Sequence, residues 1–357
     1  MRMSDPSDLL VYEYFSGGGF LKGNPESGIA LEALSMLWAI LTDFRNWGDV
    51  RTVTVLDPRF ENYASGWNRS TFPADEIVRA TPEVYEDIFL SSLERCDTAL
   101  IVAPETDGIL SGLSALVESA GKKLLGSNSR AVAMAGDKEN CNGIFLNANL
   151  PTPETRVIHV DFLDALVEQS KLPLVVKPVN GIGSEGVCLI EDIVDIPKMN
   201  AHIRSTASQG NVLIQPFVDG FHTSVSLLVA EGRSVPLSLN RQLIYPGIPF
   251  EYRGSVVPFE CEKGRYAMDL ACSAVGQIEG LSGYVGVDMV ITEDSVQLME
   301  INPRLTTSYV GLRQAAGVNP AGLIYEACVY GTLPDSIPLT GRFTVLKDDP
   351  ATWGLAD

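Results

Sequence analysis

The chain has 357 residues, of which 45% are hydrophobic and 20% are charged, so it can form two or three lobes with sizeable cores and has no signature of disorder. Its formal net charge of -19 repels phosphate backbones and anionic lipid at long range, which argues against nucleic acid and membrane surfaces as partners. A small anion remains compatible, because a few focused cations and backbone amides overcome a diffuse negative field.

Six cysteines are scattered without a Cys-x-x-Cys pair, and several lie in apolar runs, which is typical of reduced core residues. The three histidines lie far from them in sequence, which argues against a zinc site. The first residues lack the basic, apolar and small-residue regions of a secretory signal, and no apolar run reaches the ~18 residues of a membrane span. We therefore expect a cytoplasmic protein.

Strand-like and helical patterns alternate over the first 125 residues, which predicts a small α/β domain with a parallel sheet. The predicted elements are a strand at 9–15, a helix at 27–44, a strand at 53–56, a strand at 97–103 and a helix at 108–120. Ligands bind at the carboxyl ends of such strands. Gly17 to Gly19 and Pro104 to Asp107 both follow predicted strands, so we expect them near a ligand.

Beyond residue 126 the sequence becomes richer in strand patterns and predicts an α+β architecture. The predicted elements are a helix containing Asp137 and Lys138, a helix at 162–169, and strands at 174–178, 187–190, 212–216, 223–230, 235–239, 284–291 and 296–301. We divide this half into a central unit at 126–215, a C-terminal unit at 216–345 and a tail at 346–357.

A glycine-rich segment follows the strand that ends in Lys177 and Pro178. Its Gly181, Gly183 and Gly186 match G-x-G-x-x-G, but a predicted strand follows them where a dinucleotide fingerprint needs a helix. The glycines are therefore predicted to close a hairpin. Protein kinases place their phosphate lysine after such a loop, whereas Lys177 precedes it. The alternative is an ordinary glycine hairpin beside a surface lysine.

Oxygen-bearing side chains cluster in the last two predicted strands. Strand alternation places Glu300 and Asn302 on one face, and Met299 and Ile301 on the other. Asp288 interrupts the preceding apolar strand, where a carboxylate needs a partner. Two carboxylates and an amide oxygen suit Mg²⁺, whose shell phosphate oxygens and water complete. The alternative is a set of satisfied polar groups at a strand end.

Taken in order, these features resemble the ATP-grasp ligases over nearly the whole chain. They are Lys138, Lys177 with its hairpin, the segment Gln-Pro-Phe-Val-Asp-Gly, Asp288 and the Glu-x-Asn of Glu300 and Asn302. The resemblance implies an ATP-grasp fold, part α/β and part α+β, with a pre-ATP-grasp domain at 1–125, and ATP and Mg²⁺ as cofactors. It assigns Mg²⁺ to Asp288, Glu300 and Asn302.

The resemblance also implies which residues contact ATP. They are Lys138, Lys177, Gly181, Gly183, Ser184, Gly186, Gln215, Pro216, Phe217, Val218 and His222. The hairpin would close over the phosphates, and Gln215 to Val218 would hold adenine through backbone groups. His222 stands where many members have a glutamate that binds ribose, so its role departs from the family pattern.

A narrower resemblance connects the strings EINPRLTTSYVGLR and VYEYFSGGG to the tyramine–glutamate ligases of methanofuran biosynthesis and their bacterial counterparts in methylofuran biosynthesis. Arg304 directly follows the metal ligands, so its guanidinium can reach the transferred phosphoryl group or a substrate carboxylate. We expect Arg304 and Lys177 to be catalytic. The expected substrate residues are Gly17, Gly18, Gly19, Thr306, Thr307, Ser308 and Tyr309.

Structural alternatives exist for two of these segments. The hydroxyls from Thr306 to Tyr309 are also typical of the start of a helix, here the one predicted from Val310. Tyr12, Glu13 and Tyr14 are expected either to line the acceptor site or to pack in the first domain.

The implied reaction phosphorylates the side-chain carboxylate of glutamate with ATP, and an amine then displaces phosphate from the acylphosphate. Arginine outnumbers lysine by 17 to 9, which argues against a hyperthermophilic archaeal source and favours tyrosine over tyramine as the acceptor. A tyrosine carboxylate needs a cation or a nest of backbone amides, for which Gly17 to Gly19 and one arginine, Arg304 or Arg313, are candidates. The alternatives are another amide ligase, of the D-alanine or peptide type, and a nucleotide-binding protein without turnover. A homodimer is compatible with the sequence.

Overall fold

The computed structural model describes residues 7–20, 28–60, 72–179, 186–206 and 210–354. Within them, the first sheet has five parallel strands in the order β3-β2-β1-β4-β5. Its strands are β1 Ser7–Glu13, β2 Val50–Leu56, β3 Glu76–Arg79, β4 Thr98–Val102 and β5 Lys123–Leu124, and its helices are α1 Gly28–Trp47, α2 Tyr85–Arg95 and α3 Ile109–Ser119. The predicted α/β domain with a parallel sheet is confirmed. β1 ends two residues earlier than predicted, and Phe15–Gly19 form a π-helical turn.

Two short helices lead from this domain into the second sheet, α4 at Ser129–Gly136 and α5 at Lys138–Asn147. The sequence predicted one helix through Asp137, whereas Asp137 is extended and caps α5 by accepting the backbone N–H groups of Glu139 and Asn140. This cap fixes Lys138 as the first residue of α5.

The second sheet has four antiparallel strands in the order β6-β9-β7-β8. Its elements are β6 Arg156–His159, α6 Leu163–Gln169, β7 Leu174–Pro178, β8 Cys188–Ile190, α7 Ile196–Thr206 and β9 Asn211–Pro216. The two helices pack on one face of the sheet around a small core that includes Leu163, Met199 and Ile214. β7 brings Lys177 to the edge of this unit that faces the third sheet.

The third sheet has six antiparallel strands in the order β14-β13-β10-β11-β12-β15. Its elements are β10 Phe221–Ala230, β11 Arg233–Tyr245, β12 Glu251–Val257, α8 Gly264–Val275, β13 Gly283–Ile291, β14 Val296–Asn302, α9 Ser308–Ala315, α10 Pro320–Tyr330 and β15 Phe343–Leu346. The strand predicted at 235–239 lies in the first half of the longer β11, and β12 and β15 were not predicted.

A shared core joins the first and third units. Leu34 and Leu41 of α1 belong to the same buried cluster as Leu312 of α9 and Ile324 of α10. At its rim, Arg313 Nε lies 2.8 Å from Asp43 Oδ1. This packing fixes α1 against the sheet that carries the predicted metal ligands.

The C-terminal segment is part of this assembly. β15 pairs with β12, and a short 3-10 helix, Pro350–Trp353, follows it. Trp353 is buried, and its Nε1 donates to the carbonyl of Leu346 at 2.7 Å. Residues up to Gly354 therefore pack against the third unit, although they were predicted to be a tail. The other domain boundaries remain predictions.

All six cysteines are free, and four of them are buried. None of the helices in the described ranges combines the length and apolarity needed to cross a lipid bilayer.

Candidate active site

A cavity of about 260 Å³ opens where the three units meet. The first domain contributes Glu13, Glu32 and Glu105 to its lining, and the central unit contributes Lys138 and Lys177. The C-terminal unit adds the charged residues Asp288, Glu300 and Arg304 to the lining, and the C-terminal segment adds Lys347. The predicted phosphate and metal residues are thus brought together at one site.

The three predicted metal ligands lie on neighbouring strands. β13 and β14 pair so that Asp288 is opposite Glu300, and Gly286 is opposite Asn302. Asp288 Oδ2 accepts a hydrogen bond from Asn302 Nδ2 at 3.2 Å, and Asp288 Oδ1 accepts one from Gln242 Nε2 at 3.1 Å. Glu300 and Asn302 line the cavity while Ile301 is buried in the core, as alternation predicted.

Met299 corrects the prediction for the same strand. It was expected on the core face with Ile301, but it lines the cavity. The register shifts between Asp288 and Met289, so that Met289 pairs with Leu298 and Met299 is the extra residue of a bulge. Gln215 Nε2 lies 3.8 Å from the Met299 sulfur, which places this thioether beside the predicted adenine segment.

Two lysines surround the carboxylates. Lys138 Nζ lies 2.8 Å from Glu300 Oε2, and both side chains are about one-fifth exposed. Burial favours the neutral form of Glu300, but Lys138 and Lys177 outweigh it and lower the pKa of Glu300. Burial lowers the pKa of Lys177, whose ammonium therefore gains from an anionic ligand.

The donor set fits Mg²⁺. Burial and the neighbouring Glu300 carboxylate raise the pKa of Asp288, so a cation between the two acids would relieve their repulsion. No group of three or more His, Cys, Asp or Glu side chains in the described ranges is arranged to hold a metal. A magnesium ion here would need the amide oxygen of Asn302 beside the two carboxylates, with phosphate oxygens and water as further ligands.

Only part of the predicted adenine segment, Gln215 to Val218, lines the cavity. Gln215, Phe217 and Val218 line the cavity, but Pro216 is exposed and does not. His222 also lines it, with its ring 6.0 Å from that of Phe250, and burial lowers the pKa of this imidazole.

The predicted glycine hairpin is described only at its end. Gly186 has a φ of +85° and lies just before the lining residue Val187. Gly181, Gly183 and Ser184 lie outside the described residues.

Arg304 is held against the first domain. Its Nη2 donates to Glu105 Oε2 at 2.9 Å, and its Nε lies 2.9 Å from Glu105 Oε1. Glu105 belongs to the loop after β4 that the sequence placed near a ligand. The pair orients the guanidinium in the cavity beside the end of β14.

The hydroxyl segment after Arg304 is only partly in the cavity. Thr306, Thr307 and Ser308 line it. Tyr309 does not, because its ring is buried and its hydroxyl donates to Asp43 Oδ2 at 2.7 Å. Arg313 binds the same carboxylate and also lies outside the lining, so the prediction of either residue as a substrate contact is not supported.

The glycines predicted to bind substrate have a packing role instead. Gly17, Gly18 and Gly19 are buried in the π-helical turn and do not line the cavity. A Cβ at Gly17 would collide with the ring of Tyr12, and one at Gly19 with the ring of Tyr14. Their lack of a side chain thus allows the tyrosines to pack.

Glu13 is the member of the Tyr12–Tyr14 segment that reaches the cavity. It is 1% exposed and accepts the backbone N–H of Ser16 at 2.7 Å and that of Phe15 at 3.2 Å. Burial raises its pKa to about 7. Tyr12 is buried against Phe89, as the packing alternative proposed.

Sequence reasoning missed four polar residues of the lining, Glu32, Gln242, Tyr252 and Lys347. Thr307 Oγ1 donates to the Glu32 carboxylate, and Lys347 Nζ lies 3.8 Å from it. A signal for Glu32 existed, because it is one of few charged residues in the apolar pattern of α1. Lys347 had none, since it follows a strand that was not predicted.

Similarity to known proteins agrees with this geometry. Residues 50–132 match the pre ATP-grasp 3 domain family, and residues 135–308 match the ATP-grasp domain family. The chain is 31% identical over 315 residues to the tyramine–L-glutamate ligase of Methanocaldococcus jannaschii, covering 85% of this chain and 84% of that protein. This chain belongs to the ATP-grasp superfamily.

A second relative and a solved structure extend the comparison. The D-alanine–D-alanine ligase of Stutzerimonas stutzeri is 27% identical over 69% of this ATP-grasp chain and 79% of its own. The crystal structure of an ATP-grasp superfamily protein from Archaeoglobus fulgidus superimposes with a TM-score of 0.68 and 27% identity, covering 95% of this chain and 92% of that one. The expected ATP-grasp fold with its pre-ATP-grasp domain is therefore confirmed. Enzymes of this superfamily generally use ATP and Mg²⁺.

Proposed function

We propose that this chain is an ATP-dependent carboxylate–amine ligase that joins the side-chain carboxylate of L-glutamate to the amine of tyramine, with release of ADP and phosphate. The observation that carries the proposal is the convergence of Lys138, Lys177, Asp288, Glu300 and Arg304 on one cavity. The similarity to a tyramine–L-glutamate ligase over most of both chains supports the choice of substrates.

The chemistry follows from the weakness of a carboxylate as an electrophile. Transfer of the ATP γ-phosphoryl group to glutamate gives an acylphosphate, and the amine then attacks its carbonyl carbon while phosphate leaves. Lys177 and Lys138 hold the phosphates by charge, and Arg304 steadies the transferred group from the end of β14. Mg²⁺ held by Asp288, Glu300 and Asn302 would neutralise phosphate charge.

The charges of the cavity favour tyramine over tyrosine. Glu13, Glu32 and Glu105 line the side that the first domain contributes, and these three carboxylates disfavour a further carboxylate there. Arg304, one of the two cations suggested for that carboxylate, is already paired with Glu105. The preference for tyrosine rested on overall composition, which reflects the source of a protein more than its site.

Other parts of the prediction remain proposals. We propose that the protein forms a homodimer. We also propose that it is cytoplasmic, where ATP and glutamate are available. The alternative of a D-alanine or peptide ligase has less support, because the D-alanine–D-alanine ligase is similar at lower identity and over a smaller share of the chain.

Release of ADP in mixtures that omit one component at a time tests the proposal. We expect release that requires Mg²⁺, L-glutamate and an amine together, with kcat/KM for tyramine at least tenfold above that for tyrosine. Greater activity with tyrosine would overturn the acceptor assignment. Activity with D-alanine alone, and none with glutamate, would overturn the proposed function.

A further inference from the structure

A pair of opposite charges, Glu32 and Lys347, lies on the cavity wall away from the metal ligands. Glu32 projects from α1 in the first domain, and Lys347 directly follows β15. Both line the cavity, and their side chains are 22% and 18% exposed. The fold therefore brings together two groups that are more than 300 residues apart in sequence.

The two groups are close but do not bond tightly. Lys347 Nζ is 3.8 Å from Glu32 Oε2, whereas charge-assisted hydrogen bonds measure about 2.7–2.9 Å. Among the described residues, the Lys347 ammonium donates no hydrogen bond. Both charges therefore keep hydrogen-bonding capacity for a ligand.

The neighbouring contacts hold the pair in place. Thr307 Oγ1 donates to Glu32, and the Lys347 backbone N–H donates to the carbonyl of Arg253 at 2.9 Å. A Cβ at Gly28 would collide with the Lys347 side chain, so this glycine leaves room for the lysine stem. The pair is thus built into the junction of α1, α9 and β15.

Its position is next to the reacting groups. Thr307, which binds Glu32, is three residues after Arg304 and lines the same cavity. Tyr252 and Asp288 line this cavity as well. A ligand on the pair therefore shares the cavity with Asp288 and Arg304.

We propose that Glu32 and Lys347 form the receptor for the α-amino acid end of glutamate. Glu32 accepts hydrogen bonds from the α-ammonium, and the Lys347 ammonium binds the α-carboxylate. This orientation leaves the side-chain carboxylate as the end that reaches the phosphates. The identity of this amino acid as glutamate rests on the proposed function. Under this assignment, Glu32 and Lys347 determine which of the two carboxylates of glutamate reacts.

Substrates that lack one α-substituent test each half of the pair. 4-Aminobutyrate is glutamate without its α-carboxylate, and glutarate is glutamate without its α-ammonium. For Lys347→Met we expect kcat/KM with glutamate to fall at least 30-fold, mainly through KM, while kcat/KM with 4-aminobutyrate changes less than threefold. For Glu32→Gln the loss should appear with glutamate and 4-aminobutyrate but not with glutarate.

Two further variants control for structural effects. Lys347→Arg keeps the charge and should retain activity with glutamate within tenfold of wild type. Lys198→Met removes an exposed lysine on α7 that does not line the cavity, and should leave all kinetic constants unchanged. Equal losses with glutamate and 4-aminobutyrate in Lys347→Met would overturn the proposal.

Equilibrium binding separates this inference from the proposed function. Radiolabelled glutamate should bind the wild type in the presence of Mg²⁺ and a non-hydrolysable ATP analogue, and bind Lys347→Met at least 30-fold more weakly. That result supports the receptor even if tyramine yields no ADP, in which case the proposed ligation alone fails. Absence of glutamate binding to the wild type would overturn the receptor itself.

Discussion

The protonation of each buried carboxylate at this site depends on the charges beside it. Glu300 is kept ionised because Lys138 and Lys177 outweigh the effect of burial, whereas burial and Glu300 together raise the pKa of Asp288. Lys138 reaches Glu300 because the Asp137 cap starts α5 at that residue. One buried carboxylate is thus balanced by lysines, and the other gains most from a metal ion.

Replacement of Glu300 by glutamine tests this charge arrangement. We expect Glu300→Gln to lower the rate of ADP formation at least 100-fold, about 3 kcal/mol of transition-state stabilisation, because it removes a proposed metal ligand and the partner of Lys138. Steady-state kinetics measures the effect. The control is Glu293→Gln in the exposed turn between β13 and β14, which should be neutral. Near-normal turnover in Glu300→Gln would reject the site.

At the scale of elements, the C-terminal segment has a role that its sequence did not indicate. β15 pairs with β12, and Trp353 covers the end of β15 through its bond to Leu346. Lys347 lies between these two anchors. The segment thus forms part of the cavity wall.

Removal of the Trp353 side chain tests this role. Trp353→Ala should lower the free energy of unfolding by about 3–5 kcal/mol, the usual cost of emptying a buried aromatic site, and should raise KM for glutamate more than KM for ATP. Trp353→Phe is the matched control and should show smaller changes in both. Thermal unfolding and steady-state kinetics measure them. An unchanged KM for glutamate in Trp353→Ala would contradict the role of the segment in the site.

Local patterns predicted the features that depend on local order. Alternation placed Glu300 and Asn302 on one face, and apolar periodicity found α1 and the central strands. Met299 was misplaced because a bulge depends on the register of the partner strand. The glycines at 17–19 do not line the cavity, and a contact that only the folded turn creates explains two of them: Gly17 and Gly19 leave room for the rings of Tyr12 and Tyr14.

Long-range partners were not predictable. Glu32 and Lys347 meet only after α1 has packed against the third unit and β15 has joined its sheet. Tyr309 and Arg313 likewise bind Asp43 at a distance in sequence that no local pattern shows, and neither residue lines the cavity. The sequence therefore placed residues proposed for phosphate and metal in the cavity, but it missed Glu32 and Lys347, which also line it.

Across the whole molecule, charge is concentrated where an anion must bind. The net charge is -19, yet four cations line one cavity beside its five carboxylates, and residues from the three units enclose it. The cations are Lys138, Lys177, Arg304 and Lys347. The diffuse negative field is therefore compatible with the proposed ATP binding, because these focused cations act at short range. The central claim is that this cavity activates the glutamate side chain as an acylphosphate.

Transfer of an oxygen isotope tests that claim most directly. With ATP, tyramine and L-glutamate labelled with ¹⁸O in the side-chain carboxylate, one labelled oxygen should appear in the released phosphate for each turnover. Mass spectrometry should also find the γ-glutamyl amide of tyramine and ADP in equal amounts. Unlabelled phosphate, or AMP in place of ADP, would contradict the account.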